Sequence, residues 1–252
     1  PMSAVPKDTE TTVNPDEMAH FGAMAAEWWD PDGKFAPLHK LNPVRLNFLK
    51  RHICAHLGRD ADAYDALTGL SIVDIGCGGG LITEPMTRLG ASVTGIDAEA
   101  ETVKVAAAHA GQSGLAISYQ QTTAEALAAS GAQFDVVIAL EVVEHVDARD
   151  QFFDALASLT KPGGIIFMST LNRTPKGFAL GIIAAEYLLR WLPRGTHDWR
   201  KFMRPSEVVG QLRHRGFALR ELTGLVFDPV RRRFSENPRD LDVNYILTAV
   251  KD

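Results

Sequence analysis

One stretch decides the fold, Ser71-Ile72-Val73-Asp74-Ile75-Gly76-Cys77-Gly78-Gly79-Gly80, in which an apolar run ends in a cluster of glycines. Residues 72–75 have the composition of a buried parallel strand, and the glycines provide the sharp turn after it. Apolar side chains at helical spacing follow over 81–89, and Gly90 is a stop signal. The order of strand, glycine loop and helix predicts an α/β fold with a ligand at the carboxyl end of the strand.

A second strand, predicted over 91–97, ends in an acidic residue, Asp97, about twenty residues after the glycine loop. A carboxylate at this point can accept hydrogen bonds from both hydroxyl groups of a ribose. The glycine loop alone is weak evidence, because such turns follow many strands. Loop and spaced acid together predict a nucleoside site.

The spacing of the glycines argues against a dinucleotide. The chain has Asp74-x-Gly76-x-Gly78-x-Gly80 in place of G-x-G-x-x-G. Asp74 and Glu84 would repel a pyrophosphate but suit a cationic ligand. This form resembles motif one of the class I S-adenosylmethionine-dependent methyltransferases, whose cofactor carries a sulfonium and an ammonium but no phosphate. The resemblance implies cofactor contacts at Asp74, Gly76 and Gly78.

Length and composition predict one domain. A chain of 252 residues can bury one substantial core, so we expect a disordered start at 1–16 and a single α/β domain over 17–252.

The net charge of -5 gives no support to nucleic-acid binding. Two cysteines form no disulfide framework and no signal peptide is evident, which favours the cytoplasm. No apolar run reaches the roughly 18 residues that span a bilayer.

The N-terminal part, 17–66, is predicted to be helical. Large apolar side chains over 17–29 have helical spacing, which predicts an amphipathic helix that either packs on the domain or closes over a ligand as a lid. A second helix is predicted from Pro43 to Leu57, with Asn42 as its cap. Arg45 on this helix is either a solvated charge or a guanidinium that pairs with the cofactor's carboxylate.

Two further strand ends point at the predicted site. Thr123 follows the third strand, where related enzymes hold the adenine, and Leu140 ends the fourth. If a helix starts directly after Leu140, then Glu141, Glu144 and His145 fall at i, i+3 and i+4 on one face. Such a triplet could hold a divalent cation, with Mg²⁺ the first choice, or His145 could act alone as a general base. One ring nitrogen cannot serve both roles.

Residues 172–204 form an insertion that a minimal fold of this kind does not need. Its middle, 178–192, is almost wholly apolar, and the insertion carries seven basic and two acidic residues. The insertion therefore has a net charge of +5, which leaves a net charge of -10 on the rest of the chain. Apolar and basic features together predict a surface, 173–204, that lies on anionic lipid, whereas a core helix or a dimer interface is the alternative.

The whole chain resembles the ubiquinone-biosynthesis O-methyltransferase family. The resemblance rests on these stretches: Trp28-Trp29-Asp30, Pro37 to Arg45, Asp74 to Gly80, Ser169 to Arg173, Gly195 to Asp198 and Asp242 to Tyr245. It implies a Rossmann-like fold with a seven-stranded, mostly parallel sheet, helices on both faces, N-terminal helices and a helical insertion. It also implies cofactor contacts at Arg45, Gly76, Asp97 and Leu140, and in some relatives a divalent cation at the Glu141 triplet.

The same resemblance implies a function. S-adenosylmethionine would methylate a polyprenylated phenol or catechol, with the enzyme peripheral to the inner membrane on its cytoplasmic side and possible contacts with other ubiquinone-biosynthesis proteins. Two other classes stay open from the residues alone. One is an O- or N-methyltransferase for a soluble small molecule, and the other is an NAD-binding oxidoreductase.

Overall fold

The structure is a computed structural model that describes residues 23–177 and 201–252. The predicted disorder at 1–16 and the apolar middle of the insertion lie outside these ranges. A helical segment occupies 23–29, and the further elements follow in chain order: α1 (Ala36–Leu57), β1 (Ser71–Ile75), α2 (Thr83–Arg88), β2 (Ser92–Asp97), α3 (Ala100–Gln112), β3 (Ser118–Gln121), α4 (Ala124–Ala129), β4 (Phe134–Leu140), a 3₁₀ turn (Val143–His145), α5 (Arg149–Leu159), β5 (Thr160–Leu171), α6 (Pro205–Arg213), β6 (Phe217–Asp228), β7 (Arg233–Asn237) and β8 (Asn244–Lys251).

The strands form one sheet in the order β3-β2-β1-β4-β5-β8-β6-β7. Strands β1 to β5 are parallel to one another, and β8 is antiparallel to both β5 and β6. The predicted mostly parallel α/β sheet is therefore confirmed. The expected seven strands are eight in the described residues, because β7 pairs with β6 as an additional edge strand.

Side chains of β1 alternate between two cores, as the period of two in a strand requires. Ile72 packs in the cluster that contains Phe48 of α1. Val73 packs in the cluster that contains Phe153 of α5. Helices cover both faces of the sheet, so Ile72, Val73 and Ile75 of β1 are all buried.

Helix α1 begins earlier than the sequence predicts. It starts at Ala36 with Pro37 in its first turn, and Pro43 lies inside it. The prediction that Pro43 begins the helix and Asn42 caps it was therefore wrong. Two prolines fit a first helical turn, and Pro37 takes that place. The Asn42 side chain is buried instead and donates to the carbonyl of Leu81 at 3.0 Å.

Candidate active site

The glycine loop leaves β1 by turning back towards β2. The amides of Gly76 and Cys77 both donate to the carbonyl of Ile96, at 2.8 and 3.0 Å. Gly76 and Gly78 have φ angles of 69° and 52°, a region that side chains with a Cβ rarely adopt. A Cβ on Gly76 would also lie 2.6 Å from Val142 Cγ2. The loop therefore needs glycine for both its conformation and its packing.

Asp97 lies directly beside this loop. Its Oδ2 accepts from the Gly78 amide at 3.1 Å, and its Oδ1 accepts from the Glu99 amide at 3.0 Å. Each carboxylate oxygen can accept more than one hydrogen bond, so capacity for ribose hydroxyls remains. The structure brings together the two features that predicted a nucleoside site.

Asp74 is buried beneath the loop and holds the next helix. Thr83 Oγ1, in the first turn of α2, donates to Asp74 Oδ2 at 2.6 Å. Burial raises the pKa of Asp74 to about 7, and the nearby Asp97 carboxylate adds to this increase. Asp74 therefore supports the loop from below through Thr83.

Arg45 and Glu141 form an ion pair at the tip of β4, in which the arginine is buried and the glutamate is half-buried. Arg45 Nη2 lies 2.8 Å from Glu141 Oε1, and the Arg45 side chain is only 5% exposed. The same oxygen accepts from Ser169 Oγ at 2.9 Å and from Asn244 Nδ2 at 3.0 Å. Glu141 has a φ of 56°, which is uncommon for a residue other than glycine. Backbone strain of this kind concentrates at functional sites.

Two polar atoms around this pair have no hydrogen-bond partner in the described part of the chain. They are Arg45 Nε, a donor, and Asn244 Oδ1, an acceptor. Buried polar atoms are normally paired, so each points to a missing partner. A free donor and a free acceptor on two side chains that both bond Glu141 Oε1 suit a group that carries both a carboxylate and an ammonium.

Glu144 and His145 lie on the 3₁₀ turn after Glu141. Glu144 is buried and its Oε2 accepts from Thr170 Oγ1 at 2.8 Å. Burial raises the pKa of Glu144, and the Glu141 carboxylate raises it further. Partial burial of the ring lowers the pKa of His145, the Glu141 carboxylate opposes this shift, and the cation of Lys201 adds to it. His145 is thus neutral near pH 7, the form that accepts a proton.

These residues do not form the predicted helical face. The turn is a short 3₁₀ helix, Val143–His145, and Glu141 lies before it with a left-handed backbone. The i, i+3, i+4 spacing of an α-helix therefore does not apply. In the ranges 23–177 and 201–252, no group of three His, Cys, Asp or Glu side chains is arranged to hold a metal ion. The geometry does not support the predicted cation at Glu141, Glu144 and His145.

Thr123 and Leu140 take up simpler positions. Thr123 is the N-cap of α4, and its Oγ1 accepts from the Ala126 amide at 3.2 Å. A cap explains this threonine without a ligand, although the side chain lies at the tip of β3. Leu140 is a buried apolar residue at the tip of β4.

Trp28 covers the glycine loop from the N-terminal helical segment. A Cβ added to Gly79 would lie 2.6 Å from Trp28 Cδ2, and one added to Gly78 would lie 3.1 Å from Trp28 Cη2. The Trp28 ring stacks on Phe35 with centroids 3.9 Å apart. Bare backbone at 78–79 thus lets an aromatic ring lie flat against the loop.

Trp29 connects this segment to a buried polar pair. Its Nε1 donates to the Gly79 carbonyl at 3.0 Å, and its ring stacks on His109 with centroids 3.9 Å apart. His109 Nδ1 lies 2.5 Å from Glu84 Oε1, and the Glu84 side chain is fully buried. The sequence suggested Glu84 as a charge near the ligand, but the structure shows it anchoring His109 under Trp29.

Comparison with known proteins places the chain in a family. Residues 73–168 match the family model of a methyltransferase domain. A ubiquinone biosynthesis O-methyltransferase from Dinoroseobacter shibae is 53% identical, over 95% of this chain and 97% of that protein. One from Brucella anthropi is 52% identical, over 95% and 96%. The chain belongs to this family. The predicted S-adenosylmethionine-dependent O-methyltransferase is thereby confirmed, in preference to an oxidoreductase.

Solved structures support the fold of the family. A magnesium protoporphyrin IX methyltransferase from Synechocystis PCC 6803 with bound SAH has a TM-score of 0.61 and 20% identity, and covers 93% of this chain and 94% of that one. A plantazolicin methyltransferase in complex with a monoazolic desmethylPZN analogue and SAH also has a TM-score of 0.61, at 16% identity, and covers 94% of this chain and 97% of that one. At these identities the likeness concerns the fold alone.

Several site residues were not predicted from the sequence as site residues. Ser169 and Asn244 complete the surroundings of Glu141, and His109 supports Trp29. Ser169 and Asn244 belong to stretches that carry the family resemblance, which is the only signal the sequence holds for them. His109 has no such signal, because its role depends on its contact with Glu84, 25 residues earlier in the chain.

Proposed function

We propose that this enzyme transfers a methyl group from S-adenosylmethionine to a ring oxygen of a polyprenylated phenol or catechol, at the rim formed by the glycine loop, Asp97 and Glu141. The observation that carries the cofactor assignment is the hydrogen bond from the Gly78 amide to Asp97 Oδ2. This contact puts the loop and the ribose acid at one point of the sheet. The names of the relatives support the substrate class.

The residues present fit this cofactor. Asp97 would hold the ribose, and the bare backbone at Gly76 and Gly78 lets the adenosyl part approach closely. Arg45 Nε and Asn244 Oδ1 would hold the carboxylate and the ammonium of the methionyl part, since both are buried without a partner among the described residues. Leu140 would give an apolar contact, and Thr123 would lie towards the adenine.

The carboxylates around the loop favour a cation over a pyrophosphate. Asp97 and Glu141 lie at this rim and Asp74 lies beneath the glycine loop, and of the three only Glu141 is paired with an arginine among the described residues. A positively charged donor is stabilised by such surroundings, whereas a phosphate group would be repelled.

His145 is the proposed general base. When bound, S-adenosylmethionine supplies the methyl group, whose bond to sulfur breaks as its bond to the substrate oxygen forms, so that the neutral thioether leaves. A phenol is a poor nucleophile until its proton is removed. His145 is neutral near pH 7 because its pKa is lowered, and it would take this proton. Glu141 would stabilise the imidazolium that results.

We infer that the segment 23–29 acts as a lid. Trp28 lies against Gly78 and Gly79, and Trp29 fastens the segment to the Gly79 carbonyl. A Trp29→Phe variant keeps a ring that can stack on His109 but loses the hydrogen bond. We expect it to release S-adenosylhomocysteine faster than the wild-type enzyme in stopped-flow measurements, and an unchanged release rate would contradict the lid.

Membrane association through 173–204 is also a proposal. No helix in the described residues is long and apolar enough to cross a bilayer. Where the insertion is described, its basic residues are partly neutralised: Arg173 pairs with Glu207, Lys176 with Asp242 and Lys201 with Asp147. The proposed peripheral contact with an inner membrane, and any contact with other ubiquinone-biosynthesis proteins, is supported by the apolar content of 178–192 and by the substrate class.

One assay tests the function directly. Purified enzyme, S-adenosylmethionine and a polyprenyl catechol should give a product heavier by one methylene unit, detected by mass spectrometry. Calorimetry with S-adenosylhomocysteine and with NAD separates the cofactor classes. Methylation of water-soluble catechols with no preference for a prenyl chain would contradict the substrate class but leave the cofactor assignment intact.

A cation requirement stays a prediction from the sequence. The methyl transfer proposed for His145 is written without a metal ion. Dialysis against a chelator followed by addition of Mg²⁺ decides the point: a rate that falls and then recovers supports a cation, and an unchanged rate supports His145 acting without one. Binding of Mg²⁺ by calorimetry, with Glu144→Gln as the comparison, gives a readout that does not depend on activity.

A further inference from the structure

The hairpin of β6 and β7 extends beyond the rest of the sheet. Pairing of β6 with β8 ends at Gly224 and Tyr245, whereas pairing of β6 with β7 continues to Asp228 and Arg233. Four residues of β6, 225–228, therefore pass the last β8 contact. At about 3.3 Å per residue, the strand extends roughly 13 Å further before the turn begins.

The tip of this hairpin lies at the same edge of the sheet as the candidate active site. Strands β5 and β6 are both antiparallel to β8, so they run in the same direction. The carboxyl end of β6 therefore lies at the edge where β1, β4 and β5 end, which is the edge of the glycine loop and Glu141. The insertion that follows β5 leaves the sheet at the same edge.

The chemistry of the tip is apolar and basic. Val230 is 89% exposed and Phe227 is 43% exposed. Arg231, Arg232 and Arg233 follow and are all exposed. In the described ranges their only ion pair joins Arg231 to Asp228, at a long 3.9 Å. The segment 227–234 carries a net charge of +2 on a chain of net charge -5.

The tip is held in one shape. Asp228 Oδ1 accepts from the amides of Val230 and Arg231, at 2.9 and 3.0 Å. At the base of the hairpin, Arg51 of α1 pairs with Glu236 of β7 at 2.8 Å. Val230 is therefore presented to solvent by a fixed turn, so little conformational entropy is lost when it inserts into another phase.

We propose that the hairpin tip, 227–234, binds the surface of an anionic bilayer. Val230 enters the interface and the arginines lie among the lipid phosphates, which is the combination that interfacial contacts use. This proposal rests on the proposed function and deepens it. Binding through the hairpin tip would hold the methyl-transfer site next to the bilayer, where a prenylated substrate is dissolved. An acidic partner protein could bind the arginines. Such a partner would not explain why an exposed valine is held in a fixed position at the tip.

The first test compares two double variants by sedimentation with phosphatidylglycerol vesicles. Arg231→Gln with Arg233→Gln should weaken binding about tenfold to thirtyfold, since each arginine near such a surface contributes about a factor of five. The control, Arg213→Gln with Arg220→Gln, makes the same charge change at exposed positions on α6 and early β6 and should change binding by less than about twofold. Equal losses in both variants would overturn the proposal.

The second test places a probe at the tip. Both native cysteines are buried, so a Val230→Cys variant can be labelled with an environment-sensitive dye. Its emission should shift to the blue with anionic vesicles, whereas the same dye at Tyr64→Cys, 86% exposed and ahead of β1, should not respond. No shift at position 230 overturns the proposal, and a shift that appears only as protein concentration rises would assign the tip to a second copy instead.

These outcomes are separable from those of the proposed function. The hairpin variants should methylate a water-soluble catechol at the normal rate, because the tip lies outside the methyl-transfer site. A failure of methylation with intact vesicle binding counts against the substrate assignment. Normal methylation without vesicle binding counts against the hairpin alone.

Discussion

Removing the Arg45 guanidinium tests whether the ion pair at the β4 tip is as important as its burial suggests. Arg45 and Arg51 lie on the same helix, and each pairs with a glutamate at 2.8 Å. Their side chains differ in exposure, 5% against 51%. Arg45→Met and Arg51→Met are therefore matched in residue type, helix, pair distance and exposure of the glutamate, 25% and 23%, and differ in burial of the arginine.

We expect Arg45→Met to lower the free energy of unfolding by about 2–3 kcal/mol. Loss of one partner from a fully buried pair costs about 3–5 kcal/mol, and the cost is lower here because Glu141 is 25% exposed and retains two donors, Ser169 and Asn244. Arg51→Met should cost less than about 1 kcal/mol, because an exposed pair contributes little. Urea unfolding without cofactor, followed by circular dichroism at neutral pH, measures both values.

A double variant tests whether the unpaired charge of Glu141 causes the loss of stability. In Arg45→Met with Glu141→Gln the uncompensated charge is gone, so we expect recovery of about half of the lost stability. Calorimetry with S-adenosylhomocysteine should also show at least about tenfold weaker binding for Arg45→Met and none of this loss for Arg51→Met. Equal destabilisation by the two single variants, or no recovery in the double variant, would refute the argument from burial.

Three further predictions concern the acidic and basic groups of the site. Asp97→Ala should weaken S-adenosylhomocysteine binding about 100-fold, because hydrogen bonds to a charged group contribute about 1.5–3 kcal/mol each, and unchanged affinity in calorimetry would contradict the ribose assignment. His145→Ala should lower kcat about 10²–10⁴-fold with little change in cofactor affinity, and the acid limb of the wild-type rate profile should lie below the ordinary histidine pKa of 6.5 because that pKa is lowered. Asp74 has a pKa raised from 3.8 to about 7, so the folded state binds more protons than the unfolded state in that window, and its stability falls as pH rises through it. Asp74→Asn, in which the amide oxygen still accepts from Thr83, should flatten this slope in urea titrations at several pH values, and parallel slopes for the two proteins would contradict the assignment.

The sequence predicted the parts of the fold that depend on local pattern. The strand 72–75, the glycine turn and the end of the second strand at Asp97 are each recognised from neighbouring residues in the sequence. They were placed correctly. The start of α1 was missed because two prolines, Pro37 and Pro43, give the same signal and only packing decides between them. The edge strand β7 was missed because Arg231 to Arg233 have the composition of a solvated run, whereas pairing with β6 makes residues 233–237 a strand.

Contacts between distant segments could not be predicted in the same way. Glu141 was found as a charged residue after a strand, but its partners come from positions 45, 169 and 244. The left-handed backbone at Glu141 also replaced the expected helical face with a 3₁₀ turn. Such features depend on tertiary packing, which cannot be predicted from the spacing of residues in a single sequence.

The position of β8 governs when the enzyme can become functional during its synthesis. This strand is the last of the described elements to leave the ribosome, yet it lies between β5 and β6 and carries Asn244 to the side chain of Glu141. Until β8 emerges, β5 and β6 lack the strand that lies between them, and Glu141 lacks its hydrogen bond from Asn244. The β5 edge that β8 covers therefore stays without that partner while residues 172–243 are synthesised, and the contact of Asn244 with Glu141 forms only after them.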